Sequence, residues 1–201
     1  MVTIKQGYKN AVIVVHEIYG LNQHIREFCG HLSALGFDVY CPSLLNRDES
    51  YRYDEEQLAY RNFMENIGFV EAAKTVKQLA IDIEQSYEKI FVVGYSVGAT
   101  VAWLCGNKKM IKGIIGYYGS RIRDYLDKPP ECPTLLFFPK EENSFDVNRL
   151  ITSIDAGNIE IYTFERKHGF GDPYSPNYQS MSASKAFNQM ADFLLKHSTR
   201  S

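Results

Sequence analysis

The stretch that decides the fold reads Gly94-Tyr95-Ser96-Val97-Gly98-Ala99. It follows a short apolar run, Lys89–Val93, and leads into a run of helical character, Ala99–Leu104. A serine with glycines two residues before and after it, between a buried strand and a helix, is typical of the sharp turn called a nucleophile elbow. Glycine is needed there because side chains would clash with the turn. The stretch therefore predicts a strand–turn–helix unit that presents the Ser96 hydroxyl.

Outward from this unit, short apolar runs alternate with longer stretches of helical period, which indicates an α/β fold. The apolar runs are mostly continuous, as expected for parallel strands covered on both faces. The predicted strands are Ala11–Val15, Phe37–Cys41, Lys89–Gly94, Ile111–Gly116, Thr134–Phe138 and Ile159–Phe164. The remaining predicted helices are His24–Leu35, Glu71–Ser86, Val147–Asp155 and Ser182–Lys196, with Asp146 as an N-cap. Six strand–helix repeats with right-handed crossovers predict a mostly parallel, doubly wound sheet with helices on both faces.

Length and composition narrow the class of protein. The chain has 201 residues, which favours a single domain over residues 1–201. The 22 basic and 24 acidic residues give a net charge of −2, so neither nucleic acid nor a membrane surface is an expected partner. No apolar run is long enough to span a bilayer, and the N-terminus has no export pattern. The four cysteines have no metal-ligand spacing. We expect reduced thiols and a cytoplasmic location.

A serine nucleophile needs a base, and the base needs an orienting carboxylate, in the chain order serine, acid, histidine for this kind of fold. His168 follows the last predicted strand, at the end of the sheet where the site is expected. The acid is less determined, because Glu141, Glu142 and Asp146 all follow the preceding strand. Asp146 is better explained as a helix cap and Glu141 as a solvated neighbour. Glu142 is therefore the favoured acid, with Asp146 as the alternative.

The oxyanion formed by attack of Ser96 on a carbonyl needs two backbone N–H donors. One is expected from Val97, directly after the nucleophile, and the other from the loop after the first predicted strand, for which Ile18 is the candidate. Glu17 lies in that loop, directly beyond a buried strand. Its carboxylate is either paired, or reaches the site, or is a solvated loop group.

Aromatic residues are frequent in the segments that face the strand ends. They predict a moderately apolar pocket for an uncharged or weakly polar ester, although each one would serve equally well as core. These residues are Tyr19, Tyr60, Tyr95, Tyr118 and Phe170. The segment Ser120–Cys132 is too short for a folded cap domain. Asn46–Gly68 is the one candidate for a partial lid, so an open, shallow site is expected.

Several of these stretches resemble the dienelactone hydrolases, a family of the α/β-hydrolase superfamily. The most specific is Val14–Arg26, which reads V-V-H-E-I-Y-G-L-N-Q-H-I-R; Leu35–Pro42, Gly116–Gly119 and His168-Gly169-Phe170 fit further parts of the family pattern. The resemblance runs from about Ala11 to Leu195. It implies the α/β-hydrolase fold in a minimal version without a cap domain.

The resemblance also implies roles for individual residues. Ser96 takes the nucleophile position, His168 the base and Glu142 the triad acid, with the oxyanion donors at Ile18 and Val97. It places Glu17 in contact with the resting nucleophile.

The chain departs from the family pattern at four positions. Ser96 stands where the archetypal members carry cysteine, and Glu142 where they carry aspartate. Asp172 and Glu56 stand where the archetype holds its substrate's carboxylate with arginines. The expected substrate is therefore a small ester or lactone other than dienelactone.

Two functions from different classes follow. The first is a serine hydrolase that cleaves a small ester or lactone through an acyl-enzyme, with Tyr19, Tyr95, Tyr118, Phe170 and Glu17 as expected substrate-binding residues. It needs no cofactor and no metal. The alternative is a catalytically silent protein of this fold that binds a ligand or partner. The nearest approach to a metal set is His16-Glu17 with His24 and His31, but the two helical histidines are expected to point away from the strand-end loop. The sequence leaves the oligomeric state open.

Overall fold

The computed structural model describes residues 1–47, 49–142, 145–154 and 157–199. Within them, seven strands form one sheet in the order β1-β3-β2-β4-β5-β6-β7. The strands are β1 (Val2–Ile4), β2 (Asn10–Val15), β3 (Asp38–Cys41), β4 (Lys89–Tyr95), β5 (Ile111–Tyr117), β6 (Thr134–Glu141) and β7 (Ile159–Lys167). All neighbouring pairs are parallel except β1 with β3. The strand order reverses direction along the chain between β2 and β4, where ligands of open α/β sheets bind.

Helices cover both faces of the sheet. They are α1 (Gln23–Ala34), α2 (Glu56–Asn62), α3 (Phe69–Ile83), α4 (Val97–Cys105), α5 (Val147–Ser153) and α6 (Ser180–Ser198). A π-helical turn, Phe63–Ile67, continues α2, and 3-10 turns cover Tyr53–Glu55, Glu84–Ser86 and Ser120–Asp124. Asn22 caps α1 by accepting a hydrogen bond from the Ile25 N–H at 3.1 Å, which satisfies one of the free donors of the first turn.

The core has two main layers because each strand sends alternate side chains to opposite faces. On one face, α1 and α6 bury residues such as Phe28 and Met190 against Val12 and Val14 of β2. On the other face, α3 and α4 pack against the side chains of opposite parity. A smaller cluster under α5 includes Trp103, whose indole N–H donates to the Tyr125 carbonyl oxygen at 3.0 Å. The sheet is thus closed on both sides, and its carboxyl edge stays available for a site.

The six predicted strands are confirmed, with β6 and β7 extending three residues beyond their predicted ends. The short β1 was not predicted, because three residues with partly exposed side chains give no apolar signal. The regular strand–helix repeat is wrong after β5, where a 3-10 turn replaces a helix. Asp146 is the N-cap of α5, accepting from the Arg149 N–H at 3.0 Å. Asp155, predicted as the end of that helix, lies outside the described residues.

No helix within the described part of the chain is long and apolar enough to cross a membrane. Cys29, Cys41, Cys105 and Cys132 are all buried free thiols.

Candidate active site

The turn from β4 into α4 places Ser96 at the carboxyl edge of the sheet. Ser96 has a φ of 53°, in a region of backbone conformation that residues other than glycine rarely adopt. Its N–H donates to the Tyr117 carbonyl oxygen of β5 at 2.9 Å, which holds the turn against the next strand. A Cβ atom on Gly94 would overlap the backbone of Gly98, and one on Gly98 would overlap the backbone of Val15. The packing therefore requires both glycines of the motif and leaves the half-buried serine at the apex.

Three side chains from three loops form one hydrogen-bonded chain. The Ser96 Oγ lies 3.0 Å from His168 Nε2, and His168 Nδ1 lies 2.7 Å from Glu142 Oε1. With a proton on Nδ1, the ring donates to Glu142 and its Nε2 accepts from the serine hydroxyl. The His168 side chain is 36% exposed and that of Glu142 only 8%. The imidazole can thus reach a bound substrate while the carboxylate remains shielded.

The neighbouring acids lie in other surroundings. The Asp146 carboxylate caps α5, and Glu141 is an exposed residue at the end of β6, opposite Lys167 in the register of β6 with β7. Of the three acids considered from the sequence, Glu142 is the one that contacts His168. Tyr118 packs on the other side of the imidazole, with ring centroids 4.7 Å apart. Tyr118 itself has a positive φ of 45°, so the backbone beside the site is strained at two non-glycine positions.

The loop after β2 carries the second predicted oxyanion donor. Val97 is the first residue of α4, so its N–H has no partner inside the helix. Among the residues that the structure describes, no backbone hydrogen bond uses the Ile18 N–H. Both groups are therefore free to donate to a developing oxyanion.

A buried histidine, which the sequence reading did not single out for this purpose, fixes that loop. His16 Nδ1 lies 2.6 Å from the Glu17 carbonyl oxygen, and its Nε2 accepts from the Leu44 N–H at 2.9 Å. These two contacts require the neutral ring with its proton on Nδ1. Complete burial lowers the pKa of His16 to about 4, which keeps the ring neutral at ordinary pH. A histidine directly after a fully apolar strand was the available sequence signal.

A second group of titratable side chains lies beside the first. Glu17, His24 and Asp172 are all buried, and each ring nitrogen of His24 faces a different carboxylate. His24 Nε2 lies 3.9 Å from Glu17 Oε1, and His24 Nδ1 lies 3.8 Å from Asp172 Oδ1. The expectation that His24 points away from the strand-end loop is therefore wrong. The cap at Asn22 starts α1 immediately after the loop and turns its first residues inward.

Asp172 is held by other donors. The Tyr53 hydroxyl donates to its Oδ2 at 2.5 Å and the Tyr174 N–H to its Oδ1 at 2.8 Å. Glu17 Oε1 and His24 Nε2, in contrast, have no hydrogen-bond partner in the described structure. Burial, with the charge of Asp172, raises the pKa of Glu17 to about 8. Burial also lowers the pKa of His24. At neutral pH this favours a neutral Glu17 carboxyl group opposite a neutral imidazole.

These three residues are also the group in the described chain that could offer ligands to a metal ion, with one atom from each lying within 4.8 Å of the others. A single ion takes only one nitrogen of an imidazole, yet the two carboxylates face different nitrogens. The separations of 3.8 and 3.9 Å exceed hydrogen-bond distance, so no hydrogen bond joins the ring to either carboxyl group. Glu17 is buried rather than solvated, and no hydrogen bond of the described residues joins it to Ser96.

The expected aromatic pocket is only partly formed. Tyr95, Tyr118 and Phe170 are at most 2% exposed, so they support the site from within the core and offer little surface to a substrate bound at Ser96. Tyr95 points to the α1 and α6 side, where its ring stacks on that of Tyr117 with centroids 4.4 Å apart. Tyr19 is partly exposed and packs on Tyr53, with ring centroids 4.7 Å apart.

The segment proposed as a partial lid is ordered by contacts to the site. The Tyr51 N–H donates to the Tyr19 carbonyl oxygen at 2.9 Å, and Tyr53 bridges from Asp172 to the amide of Asn22. Glu56, at the start of α2, is exposed. Tyr60 is 41% exposed and lies on the outer surface of α2. This segment supports the Glu17 loop from outside.

The parallel sheet, the serine at the strand–helix turn and the histidine and acid at later strand ends define an α/β hydrolase. Comparisons with known proteins give the family. The pattern of the dienelactone hydrolase family matches residues 1–198, and the chain belongs to that family. Its fold is the α/β-hydrolase fold.

Similar proteins fit this assignment. The chain is 42% identical over 172 residues to the protein YczH of Bacillus subtilis (strain 168), covering 83% of each chain. It is 28% identical over 201 residues to the carboxymethylenebutenolidase of Pseudomonas putida, covering 91% of this chain and 84% of the other. Among solved structures, a Pyrococcus furiosus esterase superposes with a TM-score of 0.66 at 17% identity, covering 98% and 85% of the two chains. The structural likeness shows the fold.

Proposed function

We propose that the protein is a serine hydrolase that cleaves a small ester or lactone through an acyl-enzyme intermediate. The observation that carries this proposal is the chain from Ser96 Oγ through His168 to Glu142, with contacts of 3.0 and 2.7 Å. A general base within about 3 Å of a nucleophilic hydroxyl, itself oriented by a carboxylate, is the arrangement that activates serine.

In the first half of the reaction, Ser96 Oγ attacks the carbonyl carbon while His168 Nε2 accepts the hydroxyl proton. The carbonyl oxygen gains negative charge and accepts hydrogen bonds from the N–H groups of Ile18 and Val97. Glu142 stabilises the imidazolium through its contact with Nδ1. When the tetrahedral intermediate collapses, His168 returns the proton to the leaving alkoxide. An ester loses its alcohol at this step, whereas a lactone opens and keeps the new hydroxyl on the acyl group.

In the second half, His168 takes a proton from water, which attacks the acyl carbon under the same two donors. Collapse releases the carboxylic acid and returns the proton to Ser96. No step requires a group beyond water and these side chains.

The charge around the site favours an uncharged substrate. Tyr118, whose ring lies against His168, is close enough to Asp172 that the charge of Asp172 helps to raise the pKa of Tyr118, after the larger effect of burial. Adding a substrate carboxylate to this acidic surrounding would be unfavourable. The name carboxymethylenebutenolidase, which similar proteins carry, therefore suggests the type of bond that this protein cleaves more than it suggests the substrate.

The test is hydrolysis of p-nitrophenyl acetate and butyrate, together with labelling by a fluorophosphonate. Wild type should turn over both esters and label once, and Ser96→Ala should lose the label and at least about three orders of magnitude in kcat/KM. Ser86→Ala, at an exposed serine before the amino end of β4 and so at the opposite edge of the sheet from Ser96, is the matched control and should behave as wild type. If wild type neither labels nor exceeds Ser96→Ala, the protein is a silent member of the fold and the proposal fails.

A further inference from the structure

A cavity of about 450 Å³ lies on the face of the sheet covered by α1 and α6. Its lining comes from these two helices, from the ends of β4 and β5, and from the loop at 171–178. None of the residues Ser96, His168, Glu142, Ile18 or Val97 lines it. The volume falls within the range of roughly 300 to 1,000 Å³ that is typical of small-molecule sites.

The inner wall of the cavity is aromatic. Phe28 is central to it, with its ring edge-on to Tyr95 at a centroid distance of 5.0 Å, to Phe187 at 6.3 Å and to Tyr117 at 6.5 Å. Edge-to-face contacts at these distances are favourable, and another aromatic ring would extend the same network.

Glu27 is the one carboxylate among the residues that line the cavity, and the lining contains no lysine or arginine. Its two histidines are His31 and His24, and burial disfavours the charged form of His24. Hydrogen bonds from the Tyr174 hydroxyl at 2.6 Å and the Gln23 amide at 2.8 Å lower the pKa of Glu27 and keep its carboxylate ionised. Asp172 lies directly behind His24, which forms part of the wall. A cation is attracted by these carboxylates and by the faces of the aromatic rings, whereas an anion is repelled.

We propose that this cavity binds a small aromatic molecule that carries one ammonium group. The aromatic ring of the ligand packs on the wall formed by Phe28, Tyr95 and Phe187. The ammonium group of the ligand lies at the mouth of the cavity beside Glu27. The site is separate from Ser96 and does not depend on the proposed hydrolase activity. The shared wall at Tyr95 and His24 places it behind the candidate active site.

The experiment compares three probes with the same ring and chain length: 2-phenylethylammonium, 2-phenylethanol and 3-phenylpropionate. Binding is measured by protein-observed NMR at neutral pH. The ammonium probe should bind with a dissociation constant of the order of a millimolar or lower. Its affinity should exceed that of the alcohol, and the carboxylate should bind at least about tenfold more weakly than the ammonium.

Two variants locate the binding. Ser184→Trp fills the cavity from an exposed lining position of α6 and should abolish binding of all probes, while ester hydrolysis continues at the wild-type rate. Glu27→Gln keeps the shape and should weaken the ammonium probe about three- to tenfold without changing the alcohol. Glu131→Gln makes the same change at an exposed residue outside the cavity and should have no effect.

Three results overturn the proposal: no probe binds wild type at millimolar concentration, the carboxylate binds as well as the ammonium, or binding survives Ser184→Trp. The hydrolysis assay reads the Ser96 site on its own. Loss of the cavity proposal is therefore distinguishable from loss of the proposed function.

Discussion

Two histidines of this protein lie beside carboxylates at the same edge of the sheet, yet their surroundings differ. His168 contacts Ser96 and Glu142 at hydrogen-bond distance and is 36% exposed. His24 faces Glu17 and Asp172 at 3.9 and 3.8 Å, beyond hydrogen-bond distance, and its side chain is 4% exposed. The residue types are nearly the same in both groups, so distance and solvent access make the difference.

The comparison shows what a catalytic base needs beyond a nearby acid. In the proposed mechanism His168 takes a proton because Glu142 stabilises the charged ring and because water and substrate reach it. His24 has no such partner at contact distance, and burial disfavours its charged form. We therefore assign the proposed reaction to Ser96, His168 and Glu142, and a supporting role to the buried group of Glu17, His24 and Asp172.

The largest expected difference between the two histidines is the loss of activity when each ring is removed in turn. His168→Ala should reduce kcat/KM on p-nitrophenyl esters by at least about three orders of magnitude, because Ser96 loses its base. His24→Ala removes a buried ring without touching the reactive chain, so its loss should stay below about tenfold while Tm falls. Esterase kinetics and thermal unfolding of both variants test these two predictions. Equal losses of activity would contradict the division of roles.

The acid of the reactive group can be tested with a matched pair. Glu142→Gln keeps the size of the side chain but removes the charge that stabilises imidazolium, so kcat should fall by about two to four orders of magnitude with KM little changed. Asp146→Asn alters the acid that the sequence left as the alternative. Asp146 caps α5, and asparagine caps nearly as well, so activity and Tm should stay near wild type. A large kcat loss in Asp146→Asn would return the acid role to that residue.

A smaller effect on activity is expected from changes in the loop after β2, which carries the proposed oxyanion donor Ile18. His16→Asn can keep the donor to the Glu17 carbonyl oxygen but loses the acceptor for the Leu44 N–H. The loop that carries Ile18 would then be less well positioned, and kcat should fall about tenfold. This decrease is smaller than the decrease in kcat that removal of one oxyanion donor causes. KM for p-nitrophenyl acetate should change little. A variant that loses Tm but keeps kcat would show that His16 supports the fold alone.

The proximity of Ser96, His168 and Glu142 could be predicted from the sequence because each of them follows a recognisable strand. The G-x-S-x-G turn needs its glycines for backbone reasons alone, and His168 comes directly after β7. The choice of Glu142 over Asp146 rested on the cap reading of Asp146. That part of the choice agrees with the cap geometry of α5.

The buried group could not be predicted, because its members meet only through tertiary packing. His24 has the spacing of an ordinary helical residue, and its inward direction depends on where Asn22 starts α1. Asp172 carries no local sign of burial, since Tyr53, its partner, is 119 residues away in the chain. The same limit applies to Tyr95 and Tyr118, whose burial follows from strand parity and from a positive φ that composition does not reveal.

The protonation of Glu17 offers the finest test of the comparison, through the pH dependence of stability. The folded pKa of about 8 lies above the ordinary glutamate value of 4.5, so the folded state binds an extra proton between these two pH values. Stability from this group is complete below about pH 4.5 and is lost as the pH rises toward 8. Glu17→Gln removes the ionisation and should be more stable than wild type at pH 8.5, by about 4 kcal/mol or about 10 °C in Tm. The difference should shrink to below about 1 kcal/mol near pH 5, because the folded carboxyl group is then neutral and the unfolded one is close to its own pKa. Thermal unfolding at the two pH values measures it. A constant difference would mean that Glu17 ionises normally, and that the buried group is held by charge rather than by a neutral carboxyl opposite His24.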